Sequence, residues 1–149
     1  MNQQQIMQQL QAAVAAYQDQ NHDSAEDICK QILAVDSKNS NALHLLGCIC
    51  NERGQRHQAI DLIQASIQED SSNPISFLNL GKIYFACGQF EHAIDILKES
   101  LSKDRQISET WFAFGGCLAH SGQLEKAVMA YQNVVQLDPS FADAYLNIG

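Results

Sequence analysis

FLNLGKIYFACGQFEHAIDIL, residues 77–97, is the stretch that decides how this chain folds. Phe77, Leu80, Gly81 and Tyr84 fall at i, i+3, i+4 and i+7, one face of a helix, and Ala93, Ile94, Leu97 and Leu101 mark a second. Between them, Gly88-Gln89 supplies a glycine able to close the first helix in the left-handed conformation. The pattern recurs 34 residues earlier as LHLLGCICNERGQRHQAIDLI (43–63) and 34 later as WFAFGGCLAHSGQLEKAVMAY (111–131).

The same period runs through Gly47, Gly81, Gly115 and Gly149, through Ala25, Ala59, Ala93 and Ala127, and through Asp36, Asp70, Asp104 and Asp138. Three residue types holding one beat without an insertion specify a stacked helix-pair repeat. The repeats run 6–39, 40–73, 74–107 and 108–141, with a partial fifth at 142–149. Eight complete helices and a terminal stub are therefore expected, an all-α solenoid of antiparallel helix pairs. Such an array offers an extended binding surface and no built-in catalytic cleft.

The glycine and alanine series share one physical reason. Gly81 on the first helix and Ala93 on the second are expected where the helices cross most closely, and a larger side chain would force the axes apart. At the junctions, Asn73-Pro74 places a capping side chain before a proline suited to a first helical turn, and Asp138-Pro139 breaks the chain one repeat later. The first repeat is degenerate: Ala13 replaces the glycine and Gln20-Asn21 replaces Gly-Gln. Its first helix, about Gln3 to Asp19, carries an expected apolar stripe of Ile6, Leu10, Val14 and Tyr17, a wetter face suited to a solenoid end. At the other end Leu146 and Ile148 belong to a helix that stops at Gly149, so the chain reads as the N-terminal piece of something longer, with self-association through that end as an option.

A net charge of −8 with nine Lys and Arg, scattered, argues against nucleic acid and anionic membranes, both of which need clustered cations. The acidity serves solubility, or complements a basic partner. No secretory signal or membrane-length apolar run is visible. Cys29, Cys48, Cys50, Cys87 and Cys117 are odd in number and fall at different places in the repeat, unlike a disulfide framework or a zinc ladder. They read as reduced, small hydrophobes in a cytoplasmic protein. No cofactor or metal site is expected: His44 and His120 stand two repeats apart with no shared thiol or carboxylate, while His57 and His92 read as solvated. Gly115-Gly116 lacks the Lys-Ser/Thr of a phosphate loop, and no Ser-His-Asp frame stands out, so no catalysis is expected of this chain.

In its small and bulky sites the chain resembles the tetratricopeptide repeat family: Phe77, Leu80-Gly81, Tyr84 and Ala93 in the third repeat, and Trp111, Phe114-Gly115, Leu118, Ala127, Tyr131 and Pro139 in the fourth. The resemblance implies a right-handed superhelix whose first helices line a concave, peptide-binding groove. The stretches Ala42–Gly47, Gly54–Arg56 and Ala59–Ile63 are similar to early repeats of bacterial proteins that end in a SPINDLY-like or O-GlcNAc-transferase-like glycosyltransferase, or a sulfotransferase. In the O-GlcNAc transferases an asparagine ladder grips substrate backbone; Asn79 and Asn147 match it, and Leu45 and Ala113 do not. A chaperone-type dicarboxylate clamp would need Lys and Arg where this chain has His44, Cys48, Ile75, Asn79, Glu109 and Ala113.

By that geometry the groove presents Asn41, His44, Leu45, Cys48 and Asn51, then Leu78, Asn79 and Lys82, then Glu109, Phe112, Gly116 and His120. Leu78 with Phe112 forms an apolar strip flanked by Asn79 and Lys82, or else completes the packing of adjacent first helices. Two functions follow: a scaffold that binds a peptide or protein segment, or the non-catalytic, substrate-recruiting arm of a larger transferase.

Overall fold

The structure, a computed structural model, describes residues 1–141; the expected stub, with Leu146, Asn147, Ile148 and Gly149, lies outside them. Among the described residues the chain is all helix, with no strand: α1 (Gln3–Gln18), α2 (His22–Val35), α3 (Ser40–Glu52), α4 (Arg56–Glu69), α5 (Pro74–Ala86), α6 (Phe90–Lys103), α7 (Ser108–His120) and α8 (Leu124–Leu137). They fall into two compact units, Met1–Ser71 with α1 to α4, and Ser72 onward with α5 to α8. Within each, successive helices pack as pairs: α1 with α2 and α3 with α4 in one, α5 with α6 and α7 with α8 in the other.

Among the described residues one turn closes each of the four first helices, α1, α3, α5 and α7. The residue two places beyond the C-cap returns its N–H to a carbonyl five residues back: Asn21 to Ala16, Gln55 to Cys50, Gln89 to Tyr84 and Gln123 to Leu118, all at 2.8–2.9 Å. This closure needs a positive φ at the residue before, which Gly54, Gly88 and Gly122 supply at 79°, 76° and 84°. In the degenerate first repeat Gln20 adopts it at 63°, a conformation that crowds its Cβ. At the other end, Asn2, Asn39 and Asn73 cap α1, α3 and α5 with their side chains, whereas Ile107 before α7 offers none.

The small residues mark close approach. A Cβ on Gly81 would lie 2.7 Å from Leu97 Cγ, one on Gly47 2.6 Å from Ile63 Cγ1, and one on Gly115 2.8 Å from Tyr131 Cε1. The glycine thus meets the residue one turn beyond the repeat alanine, while Ala25, Ala59, Ala93 and Ala127 are themselves buried in the pair. Ser66 and Ser100, unnoticed in the sequence, are buried on the second helices. Their hydroxyls donate to the carbonyls of Ser40 (2.7 Å) and Pro74 (2.8 Å), tying each second helix to the first turn of its partner. In α1 the expected stripe needs one correction. Ile6 and Ala13 are buried and Leu10 and Tyr17 partly so, but Val14 is 43% exposed, because the face turned to α2 and α3 runs through 6, 10, 13 and 17.

Candidate peptide-binding surfaces

In the N-terminal unit, Asn41, His44, Cys48 and Asn51 follow one face of α3; Asn41 is exposed and the other three are half-buried. Burial pushes the His44 imidazole below its usual range, which favours its neutral form. Beside this face a polar cluster absent from the sequence-based candidates joins α1 and α2 to the end of α3. Tyr17 Oη donates to Glu52 at 2.8 Å, His22 Nε2 meets the other Glu52 oxygen at 2.6 Å, and Arg53 pairs with both Asp23 and Glu26.

The C-terminal unit carries a groove of about 690 Å³ between α5, α7 and the segment after α8. Its lining is Lys82, Phe85, Ser108, Glu109, Phe112, Ala113, Gly116 and Phe141. Four of the residues expected in the groove, Lys82, Glu109, Phe112 and Gly116, meet here. Lys82 Nζ and Glu109 Oε1 form an ion pair of 2.6 Å at the rim. Phe112 stands 4.9 Å from Phe141 and 5.7 Å from Tyr131 between ring centroids. Gly116 leaves the floor open; a Cβ there would only touch Phe85 and the Tyr131 hydroxyl, each at 3.8 Å.

The remaining candidates lie elsewhere. Leu78 is 2% exposed, so it offers no ligand surface: its side chain is spent in the core, and the expected Leu78–Phe112 strip is Phe112 alone. Asn79 is half-buried and outside the groove lining. His120 is exposed behind the wall, its ring 4.9 Å from Phe85 and 5.1 Å from Phe90, with Nδ1 2.8 Å from the Gly116 carbonyl. Phe85 was missed although the repeat points to it, since it stands 34 residues after Asn51. Phe141 sits in the junction after α8, outside the helical faces whose spacing marks the groove.

A second cavity of about 430 Å³ opens between α6, α7 and α8 over Trp111, Phe114 and Leu118. Charges of both signs surround it, among them Glu91, Asp95, Lys98 and Lys126, and Arg105 lies over the Trp111 ring at 5.3 Å. No helix among the described residues is long and apolar enough to cross a membrane. No cluster of His, Cys, Asp and Glu among them is placed to hold a metal ion.

A family model described as TPR repeat matches residues 118–149. Another, described as anaphase-promoting complex, cyclosome, subunit 3, matches residues 18–100, more than half of the chain. The chain belongs to the tetratricopeptide repeat family. Neither matched description is that of a catalytic domain. No curated protein matches the chain in sequence. Among solved structures, this tetratricopeptide chain is similar to MamA, with a TM-score of 0.83 and 23% identity over 91% of this chain and 80% of that one. It is similar to YrrB, described as a TPR protein with an unusual peptide-binding site, with a TM-score of 0.81 and 24% identity over 94% and 72%. An O-GlcNAc transferase of Thermobaculum terrenum gives a TM-score of 0.83 and 24% identity over 88% of this chain but only 26% of that one. At these identities the likeness concerns the fold.

Proposed function

We propose that this tetratricopeptide array is a protein-interaction scaffold that holds a peptide or protein segment against its first helices, the groove of the C-terminal unit being the main contact. The observation that carries the reading is the groove itself: about 690 Å³, walled by Phe85, Phe112 and Phe141, with an open floor at Gly116. Apolar walls with a few polar groups at the rim suit a short segment with one buried anchor. Five cysteines outside any disulfide, three of them buried, support a reducing compartment such as the cytoplasm. Selecting phage-displayed random peptides on the immobilised protein tests this. The enriched sequences should lose binding to Phe112→Ala and to Gly116→Leu, while both variants keep the wild-type circular dichroism spectrum. Equal binding to both variants would move the ligand to another surface.

A second reading is the substrate-recruiting arm of a glycosyltransferase-like or sulfotransferase-like enzyme. Asn79 at the ladder position favours it; its partner Asn147 lies outside the described residues. The coding frame beyond Gly149 decides between the two: a long α/β domain supports the arm, a few more repeats and a stop codon the scaffold.

A further inference from the structure

We propose that the groove of the C-terminal unit selects its segment through one basic side chain, arginine by preference, which takes Glu109 from Lys82. This rests on the reading of the groove as the binding site. Three phenylalanine rings, Phe85, Phe112 and Phe141, line it. Aromatic faces carry negative potential, so they attract a cation and repel a carboxylate. Among the described residues Glu109 is the only carboxylate in the lining, and it already holds a cation, the Lys82 amine at 2.6 Å.

That internal cation is easily exchanged. Lys82 and Glu109 have side chains 49% and 52% exposed, and an ion pair this open to water contributes little. Glu109 lies in the first turn of α7, where the helix favours a negative charge with or without Lys82. Once displaced, Lys82 swings into solvent. An incoming arginine improves on it in two ways. Its planar guanidinium gives two parallel N–H donors to one carboxylate and stacks on a ring face, neither of which an ammonium does. Its aliphatic stem covers the apolar wall above Gly116, where no side chain blocks the floor.

An acidic ligand meets the reverse of each term. It would have to draw Lys82 away from Glu109, leaving two carboxylates at one rim against three ring faces. The chain's net charge of −8 adds to that repulsion and speeds the approach of a cationic segment.

Calorimetric titration of the whole chain with three nine-residue peptides, alike except for a central Arg, Leu or Glu in a Ser-Gly-Leu background, tests the proposal. The Arg peptide should bind about tenfold more tightly than the Leu peptide, and the Glu peptide more weakly than both. Lys82→Met should tighten the Arg peptide by removing its competitor. Glu109→Gln should bring it down to the Leu peptide and leave the Leu peptide unchanged. If Leu or Glu binds as tightly as Arg, or Glu109→Gln leaves the Arg peptide unaffected, the arginine preference is wrong, while the groove reading stands so long as Phe112→Ala still weakens binding. If none of the three binds, the groove reading and the preference fall together.

Discussion

Buried Ser100 donates a hydrogen bond of 2.8 Å from its Oγ to the carbonyl of half-buried Pro74, across 26 residues of chain. Pro74 opens α5, so this bond fixes where α6 ends relative to where its partner begins. Ser66 makes the same bond to Ser40 one repeat earlier. Replacing Ser100 with Ala takes one donor from a part-buried carbonyl and should cost about 1 kcal/mol. Urea unfolding checks this; an unchanged midpoint and slope would show that the hydroxyl is dispensable.

Adjacent glycines should respond with opposite signs. A methyl on Gly115 would press into the Tyr131 ring at 2.8 Å, and a ring flanked by helices has little room to yield, so Gly115→Ala should destabilise by about 1–3 kcal/mol. At Gly116 the nearest atoms are 3.8 Å away, and Gly116→Ala should stabilise by roughly 0.8 kcal/mol through helix propensity alone. Paired melting curves decide it. Equal effects at the two positions would contradict the packing described here.

Gln20 sits at φ 63° where the later repeats use glycine. Gln20→Gly should therefore stabilise by about 1 kcal/mol, whereas glycine at an ordinary exposed position would destabilise. A lower melting temperature for this variant would mean that the side chain of Gln20 contributes more than its backbone costs.

The cysteines divide by burial. Cys29, Cys50 and Cys117 are buried; Cys48 and Cys87 are partly exposed. Native protein at neutral pH should release two thiols quickly to Ellman's reagent and three only on unfolding. Burial pushes the Cys29 and Cys117 thiols up to about 11. A thiol that ionises in the unfolded chain before the folded one makes stability fall as pH rises from about 9 to about 11. Below that window these thiols contribute no slope. The double variant Cys29→Ala, Cys117→Ala should flatten the alkaline limb, and an unaltered limb would assign it to other groups.

Helix placement was legible because a 34-residue period leaves little freedom: once Gly81 and Ala93 are set, their counterparts follow. The groove was legible in part. Lys82, Glu109 and Phe112 follow from helical spacing on the first helices, but spacing does not say how deep a side chain sits. Leu78 and Phe112 occupy equivalent positions, and Leu78 alone is sealed in the core. Phe141 closes the groove from a junction, where periodicity has nothing to say. The buried serines escaped because a hydroxyl on a second helix looks like a solvated residue until its carbonyl partner, 26 positions back, is brought beside it.

The first turn of α7 lacks two fastenings that α5 has. Ile107 gives it no capping side chain, and Val134, at the position of Ser66 and Ser100, has no hydroxyl to send back. That turn carries Ser108 and Glu109, two of the three polar side chains that line the groove among the described residues. Its amide hydrogens should exchange with deuterium sooner than those at the start of α5, so the rim is the piece of the groove that breathes, and a ligand closing on Glu109 would slow that exchange.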